Sequence, residues 1–148
     1  MIVMRKPIEG VTRAELERFA ARARRAAGVR GPVDILITSN DDLRRLNKRF
    51  RGKDKPTDVL SFRAPGPGLP DDLAISGAIA QGNARRLGHS AAEELKVLIL
   101  HGLLHLAGYD HERDQGEMRR EEDRLRRRLG LPVTLIARAE RPRKRSRR

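Results

Sequence analysis

The chain has 148 residues, no cysteine and a formal charge of +13, from 33 Lys and Arg against 20 Asp and Glu. This length fits one domain with a buried core, and the lack of cysteine excludes a disulfide framework and thiolate metal ligands. The N-terminus lacks a signal-peptide pattern and no apolar run is long enough to span a membrane. We therefore expect a soluble, cytoplasmic protein that makes no membrane contact.

The first half of the chain predicts an alternation of strands and helices. Thr12 and Ser39 precede helical patterns and can accept hydrogen bonds from the first free N–H groups of each helix. Glycine ends the first helix, where the backbone must turn. In chain order we predict a strand over residues 1–4, a helix over 12–28, a strand over Val33–Thr38, a helix after Ser39 with Leu43, Leu46 and Phe50 at helical spacing, and a strand over Val59–Phe62.

The second half begins with a Pro- and Gly-rich loop over residues 64–70, followed by a predicted strand over residues 73–80. Ser90 and Glu93 form a capping box that begins the next helix, and a last helix is predicted over residues 112–129. The fold class is α+β, because strands and helices mix without the regular alternation of a doubly wound sheet. We expect a small mixed sheet of about four strands, packed with helices around a central helix.

The domain organisation predicted from the sequence is a single domain over residues 1–136 and a basic, disordered tail over residues 137–148. The tail could hold RNA loosely, or it could be a solvated segment without a partner. The excess of basic residues favours a nucleic acid or ribonucleoprotein partner, although a GC-rich genome would also favour arginine over lysine. With three Phe and one Tyr in the chain, a platform for base stacking is not expected.

Three of the four histidines lie within eleven residues, as His101, His105 and His111. The first two are four residues apart, so both rings project from one face of the predicted central helix. Gly108 can take the left-handed conformation that ends a helix and turns the chain back toward them. Neutral imidazole is a good zinc ligand, and three protein ligands leave one position open, as in catalytic sites. The pattern indicates a metal-dependent hydrolase.

A class of zinc peptidases has the same histidine spacing, with a glutamate directly after the first histidine as the general base. Gly102 stands at that position here. Its presence argues against peptide hydrolysis, so peptidase activity is the third hypothesis. No other residue is assigned as the base. Asp110 is adjacent to a ligand but could instead orient a histidine ring, and His89 and Glu94 are weaker candidates for the site.

Several segments of the chain resemble the YbeY family of bacterial rRNA maturation factors. The histidine segment HGLLHLAGYDH matches that family's signature, LNKRFRGKDKPTDVLSF resembles its second motif and DLAIS a third, and these segments occur in the family's order. The resemblance covers about residues 30–120. The sequence departs from the family pattern at Asp71, where the family usually has glycine, and at Arg63, where the family often has proline.

The resemblance implies an endoribonuclease that binds one zinc ion per chain and cleaves single-stranded RNA. It also implies a role in maturing the 3′ end of small-subunit ribosomal RNA and in ribosome quality control, with the ribosome as partner. The family's zinc ligands fall on His101, His105 and His111, and its motif arginine, important for activity, falls on Arg51. Arginine suits a phosphate, and we expect Arg51 across the cleft from the metal, although it could instead cap its helix. The alternative function is a non-catalytic, zinc-containing ribosome assembly factor.

Overall fold

The computed structural model describes residues 1–132 and Ile136. Within that part, the strands are β1 (Ile2–Met4), β2 (Val33–Thr38), β3 (Val59–Phe62) and β4 (Asp71–Ser76). The helices are α1 (Arg13–Ala27), α2 (Asn40–Arg51), α3 (Gly77–Leu87), α4 (Ala91–Leu106) and α5 (Glu117–Leu129).

The four strands form one mixed sheet in the order β1-β2-β4-β3. β2 pairs in parallel with both β1 and β4, whereas β3 runs antiparallel to β4. The predicted α+β class with a small mixed sheet is therefore confirmed. β3 lies at one edge of the sheet, with Val59 opposite Ile75 and Phe62 opposite Asp72.

Helix α4 is the centre of the fold, as predicted. It packs against α1, α3 and α5 and against strands β3 and β4. Its apolar residues are buried on nearly every side, including Leu98, Leu100 and Leu104. A helix that is apolar all round belongs inside a core rather than on its surface. The capping box at its start is present, because Ser90 Oγ accepts from Glu93 N and Glu93 Oε1 accepts from Ser90 N.

Helix α2 covers the face of the sheet opposite α4. The contact is a small cluster of buried residues, Leu43, Leu60 and Ala74. Ser39 Oγ accepts from Asp42 N at the start of α2, and Gly52 ends the helix with φ 69°. Because α2 ends at Arg51 and β3 begins at Val59, the end of this helix lies beside the edge strand.

The prediction of a strand over residues 73–80 was wrong beyond Ser76. Ser76 is the last residue of β4, and its Oγ accepts from Ile79 N, so α3 begins directly after the strand. The last helix was predicted to begin at residue 112 but begins at Glu117. Asp114 explains the later start, since its carboxylate accepts from Gly116 N and Met118 N. Residues 110–116 instead form turns.

No helix in residues 1–132 has the length and apolar character needed to cross a membrane. The tail predicted over residues 137–148 lies outside the described residues.

Candidate metal centre

His101 and His105 lie in the last two turns of α4, and their side chains meet. His101 Nε2 and His105 Nε2 are 3.2 Å apart. Two nitrogen ligands of a tetrahedral zinc ion are separated by about 3.3 Å when each bond is about 2.0 Å long. The helical spacing of the two residues thus brings their nitrogens to the separation of two metal ligands.

The turn after α4 brings His111 to the same place. Gly108 has φ 106°, a conformation that favours glycine, and Tyr109 N donates to Leu104 O at 3.1 Å. The chain therefore reverses within three residues of the helix end. The His111 ring centroid lies 5.3 Å from that of His101 and 5.4 Å from that of His105. One ring nitrogen from each histidine lies within 4.8 Å of the other two.

Glu122 on α5 holds His101 in place. His101 Nδ1 donates to Glu122 Oε2 at 2.7 Å, and Ile136 N donates to Glu122 Oε1 at 2.9 Å. Glu122 is 1% exposed and His101 is 5% exposed. A carboxylate that accepts from Nδ1–H fixes the tautomer in which Nε2 carries a lone pair for a metal ion. No local pattern in the sequence predicts this contact, because Glu122 follows His101 by 21 residues and lies on another, highly charged helix.

Two further observations indicate that the three histidines can bind a metal ion. Burial, and then the neighbouring His101 and His111, lower the pKa of His105 below the ordinary histidine value, so His105 is held in the neutral form that binds metals. His111 Nδ1 is buried and has no hydrogen-bond partner among the residues that the structure describes. A buried ring nitrogen without a hydrogen-bond partner is energetically costly, and a bound metal ion would give the His111 ring a partner.

Gly102 is packed against the sheet rather than directed toward the histidines. A Cβ atom at this position would lie 2.7 Å from Leu73 Cδ2, and Leu73 is buried in the core. A glutamate side chain has no room there. Position 102 therefore offers no place for the general base of the zinc peptidases, in agreement with the sequence argument against peptide hydrolysis.

The histidines open into a cavity of about 860 Å³ with two different walls. The histidine wall consists of His101, His105 and His111. The arginine wall consists of Arg51 at the end of α2 and of Ser61 and Arg63 on and after β3; Ser61 Oγ donates to Gly102 O at 3.2 Å. Other residues that line the cavity are Thr57, Asp58, Val59, Leu106, Gly108, Tyr109, Asp110, Glu112, Arg113 and Ile136.

Both arginines of the arginine wall are exposed, and within residues 1–132 neither forms an ion pair with a carboxylate. The Arg63 guanidinium extends toward the turn after α4, where its Nη2 is 3.8 Å from the position of a Cβ on Gly108. Arg51 thus lines the same cavity as the histidines, and its role opposite a metal ion stays a prediction. In the sequence, Arg63 is marked only by its departure from the family pattern. In the structure, Arg63 lines the same cavity as Arg51.

The remaining candidates have other partners. The Asp110 carboxylate accepts from Glu112 N and lies 3.6 Å from Arg113 Nε, so Glu122 rather than Asp110 orients a histidine ring. His89 is not in the cluster of three. It lies against Glu94, with 2.8 Å between His89 Nε2 and Glu94 Oε1.

The chain is similar to known proteins over nearly its whole length. The family model described as "Endoribonuclease YbeY" matches residues 3–130. A Koribacter versatilis protein named Endoribonuclease YbeY is 56% identical over 146 residues, covering 99% of this chain and 96% of its own length. A protein of the same name from Solibacter usitatus is 48% identical over 139 residues, covering 94% of each.

The solution structure of TM1509 from Thermotoga maritima is 27% identical, with a TM-score of 0.58, and the match covers 100% of both chains. The structure combines a mixed sheet with a central helix at whose C-terminal end three histidines cluster, and the sequence matches place this architecture in one family. The chain belongs to the Endoribonuclease YbeY family, and the family assignment made from its motifs is confirmed.

Proposed function

We propose that this chain is a zinc-dependent endoribonuclease of single-stranded RNA. In this proposal it matures the 3′ end of small-subunit ribosomal RNA and takes part in ribosome quality control. The observation that carries the proposal is the convergence of three histidine nitrogens within 4.8 Å of one another in an arginine-lined cavity. The names of the relatives support RNA cleavage.

In this proposal His101, His105 and His111 hold one zinc ion, and Glu122 keeps His101 in the binding tautomer. When bound, zinc supplies Lewis acidity toward a phosphoryl oxygen and water activated for attack near neutral pH. A site of three neutral nitrogen ligands, without sulfur or a carboxylate, favours zinc. Copper and nickel also bind imidazole. Three protein ligands leave the open position that catalysis requires.

The role proposed for Arg51 is to bind the phosphate at which cleavage occurs. Its guanidinium forms no ion pair with a carboxylate within residues 1–132 and lines the same cavity as the histidines. A planar guanidinium can donate two parallel hydrogen bonds to a phosphate and stabilise the charge that develops there. Arg63 is a second cation on the same wall and would contact a neighbouring phosphate.

The wider assignment is a cytoplasmic protein that acts on the small ribosomal subunit, with one domain over residues 1–136 and a basic tail over residues 137–148. The charge of +13 supports a polyanionic partner, because each neutralised phosphate releases counterions.

The test combines metal content by elemental analysis with cleavage of a single-stranded ribosomal RNA fragment. We expect about one zinc per wild-type chain, with both zinc and cleavage lost in His105→Ala. His89→Gln, which removes the histidine outside the cluster, is the control and should keep both. Bound zinc without cleavage by the wild type would contradict the nuclease and favour the assembly factor.

A further inference from the structure

Phe50, the penultimate residue of α2, has an exposed aromatic ring. It leaves 57% of its surface in contact with solvent, although the other ring of its pair, Phe62, is partly buried. The two rings form an edge-to-face contact, with centroids 5.1 Å apart and an interplanar angle of 61°. Phe50 therefore contacts a second aromatic ring at an edge and leaves more than half of its surface available to a partner.

This ring lies beside the cavity, as the chain neighbours of the aromatic pair indicate. Phe50 precedes Arg51, and Phe62 lies between Ser61 and Arg63; all three neighbours line the cavity. Residues alternate between the two faces of a strand, so Phe62 faces α2 while Ser61 and Arg63 face the histidines. Because β3 is an edge strand, a nucleic-acid strand that leaves the cavity past the arginine wall can cross this edge of the sheet and reach Phe50.

The charge around Phe50 suits a polyanion. The Arg49 guanidinium carbon lies 5.2 Å from the centroid of the Phe50 ring, and Arg51 and Arg63 border the cavity next to the aromatic pair. Aromatic rings among arginines are the arrangement by which proteins bind single-stranded nucleic acids: the bases stack on the rings and the cations meet the phosphates. Arg49 over the ring, with Arg51 and Arg63 lining the adjoining cavity, favours a polyanionic partner over an apolar protein segment.

We propose that Phe50, in contrast to what the low aromatic content of the chain predicts, is a stacking platform for one unpaired base of the RNA, a few nucleotides from the phosphate bound near the histidines. This inference rests on the proposed function and adds a binding site outside the cavity. The site accepts any of the four bases, because every base has a π-face. It disfavours duplex RNA, whose bases are already stacked on one another, and so contributes to selection of single strands.

The test measures binding of a single-stranded RNA decamer with 2′-O-methyl groups to the zinc-loaded full chain, by fluorescence anisotropy. Phe50→Ala should weaken binding about 5- to 100-fold, the range found for loss of one stacked base. Phe50→Trp keeps an aromatic face and should bind like the wild type, whereas Phe50→Leu keeps only the apolar bulk and should bind as weakly as Phe50→Ala. Leu87→Ala, at another exposed apolar residue outside the cavity, is the matched control.

The stacked base itself can be located with decamers that carry one abasic site at each position in turn. At one position the abasic site should weaken binding by the wild type but not by Phe50→Ala, since the two changes remove the same contact. With unmodified RNA, Phe50→Ala should raise KM and leave kcat close to the wild-type value. An unchanged Tm would exclude unfolding as the cause.

Equal binding by wild type, Phe50→Ala and Phe50→Leu would overturn the stacking site, whether or not the wild type cleaves RNA. Leucine that binds as well as phenylalanine would also overturn it, because that result indicates a simple apolar contact. Loss of binding in Phe50→Ala with rescue by tryptophan would support stacking, even if the wild type bound RNA without cleaving it. That last result would overturn the proposed nuclease alone, so the two failures are distinguishable.

Discussion

The two walls of the cavity are built by opposite means. In the histidine wall, His101 is buried and hydrogen-bonded to a carboxylate that is itself 1% exposed. In the arginine wall, Arg51 and Arg63 are exposed and have no carboxylate partner within residues 1–132. The first arrangement fixes the position of the His101 ring, whereas the second leaves charged groups available to a phosphate.

This difference matches the role of each wall in the proposed function. A metal site needs ligand atoms held to within a fraction of an ångström, which requires packing and hydrogen bonds around the ligands. A surface that binds many phosphates in succession needs charge and reach more than rigidity. We therefore expect changes in the histidine wall to affect metal binding and stability together, and changes in the arginine wall to affect RNA while leaving the fold intact.

The largest effect is expected for Arg51→Ala, which tests the arginine wall. Cleavage of single-stranded RNA should fall about 10²- to 10³-fold, the usual result of removing one donor that stabilises transition-state charge. Zinc content and Tm should not change, because the exposed guanidinium has no ion pair in the described part of the chain. Full activity with unchanged zinc content would remove Arg51 from the mechanism.

Glu122→Ala tests the histidine wall and should change two quantities at once. The zinc affinity should fall about 10- to 100-fold, since His101 loses the partner that sets its tautomer. The free energy of unfolding should fall by about 1–3 kcal/mol even without metal, because His101 Nδ1 and Ile136 N would be left without an acceptor.

Competition with a chromophoric chelator and urea unfolding measure these two effects of Glu122→Ala. The matched control is Glu121→Ala, whose carboxylate pairs with Arg124 at the surface and should cost less than about 1 kcal/mol. If both variants bind zinc as tightly as the wild type, Glu122 does not support the metal site.

Much of the fold could be predicted because local signals and tertiary structure agree. β2 and β3 have the predicted bounds, Val33–Thr38 and Val59–Phe62, since both are short apolar or β-branched runs. Helix α3 was missed because the same residue, Ser76, ends a strand and caps a helix, so no loop marks the change. The start of α5 was misplaced because the charged residues after His111 fit a helical pattern that the side chain of Asp114 overrides.

The candidate site was predictable where it depends on spacing along one helix and one turn. His101, His105 and His111 were found in this way, and the structure brings their nitrogens together. Glu122 and Arg63 take part in the site only because elements that are distant in the sequence pack side by side. The sequence carries no local signal for such neighbours, so their places in the site became visible only with the fold.

Gly102→Ala probes the packing behind the histidine wall. The added methyl group would lie 2.7 Å from Leu73 Cδ2 in the core, so we expect a loss of about 1–3 kcal/mol in the free energy of unfolding. Gly82→Ala is the control, because that helical position has no atom within 4 Å of a Cβ and should gain about 0.5–1 kcal/mol. Equal stability of the two variants, measured by urea unfolding, would mean that α4 can move away from β4 without cost.

The smallest effect is expected for Arg63→Ala, read from the salt dependence of RNA binding. Loss of one phosphate contact on a single strand should reduce the slope of log K against log salt by about 0.7. Arg44→Ala removes the same charge from α2, but Arg44 pairs with Asp54 at 2.7 Å and does not line the cavity, so its slope should stay close to that of the wild type. Equal slopes for the two variants would mean that Arg63 acts through net charge alone. A smaller slope only for Arg63→Ala, with unchanged Tm and zinc content, would identify Arg63 as a second phosphate contact of the arginine wall beside Arg51.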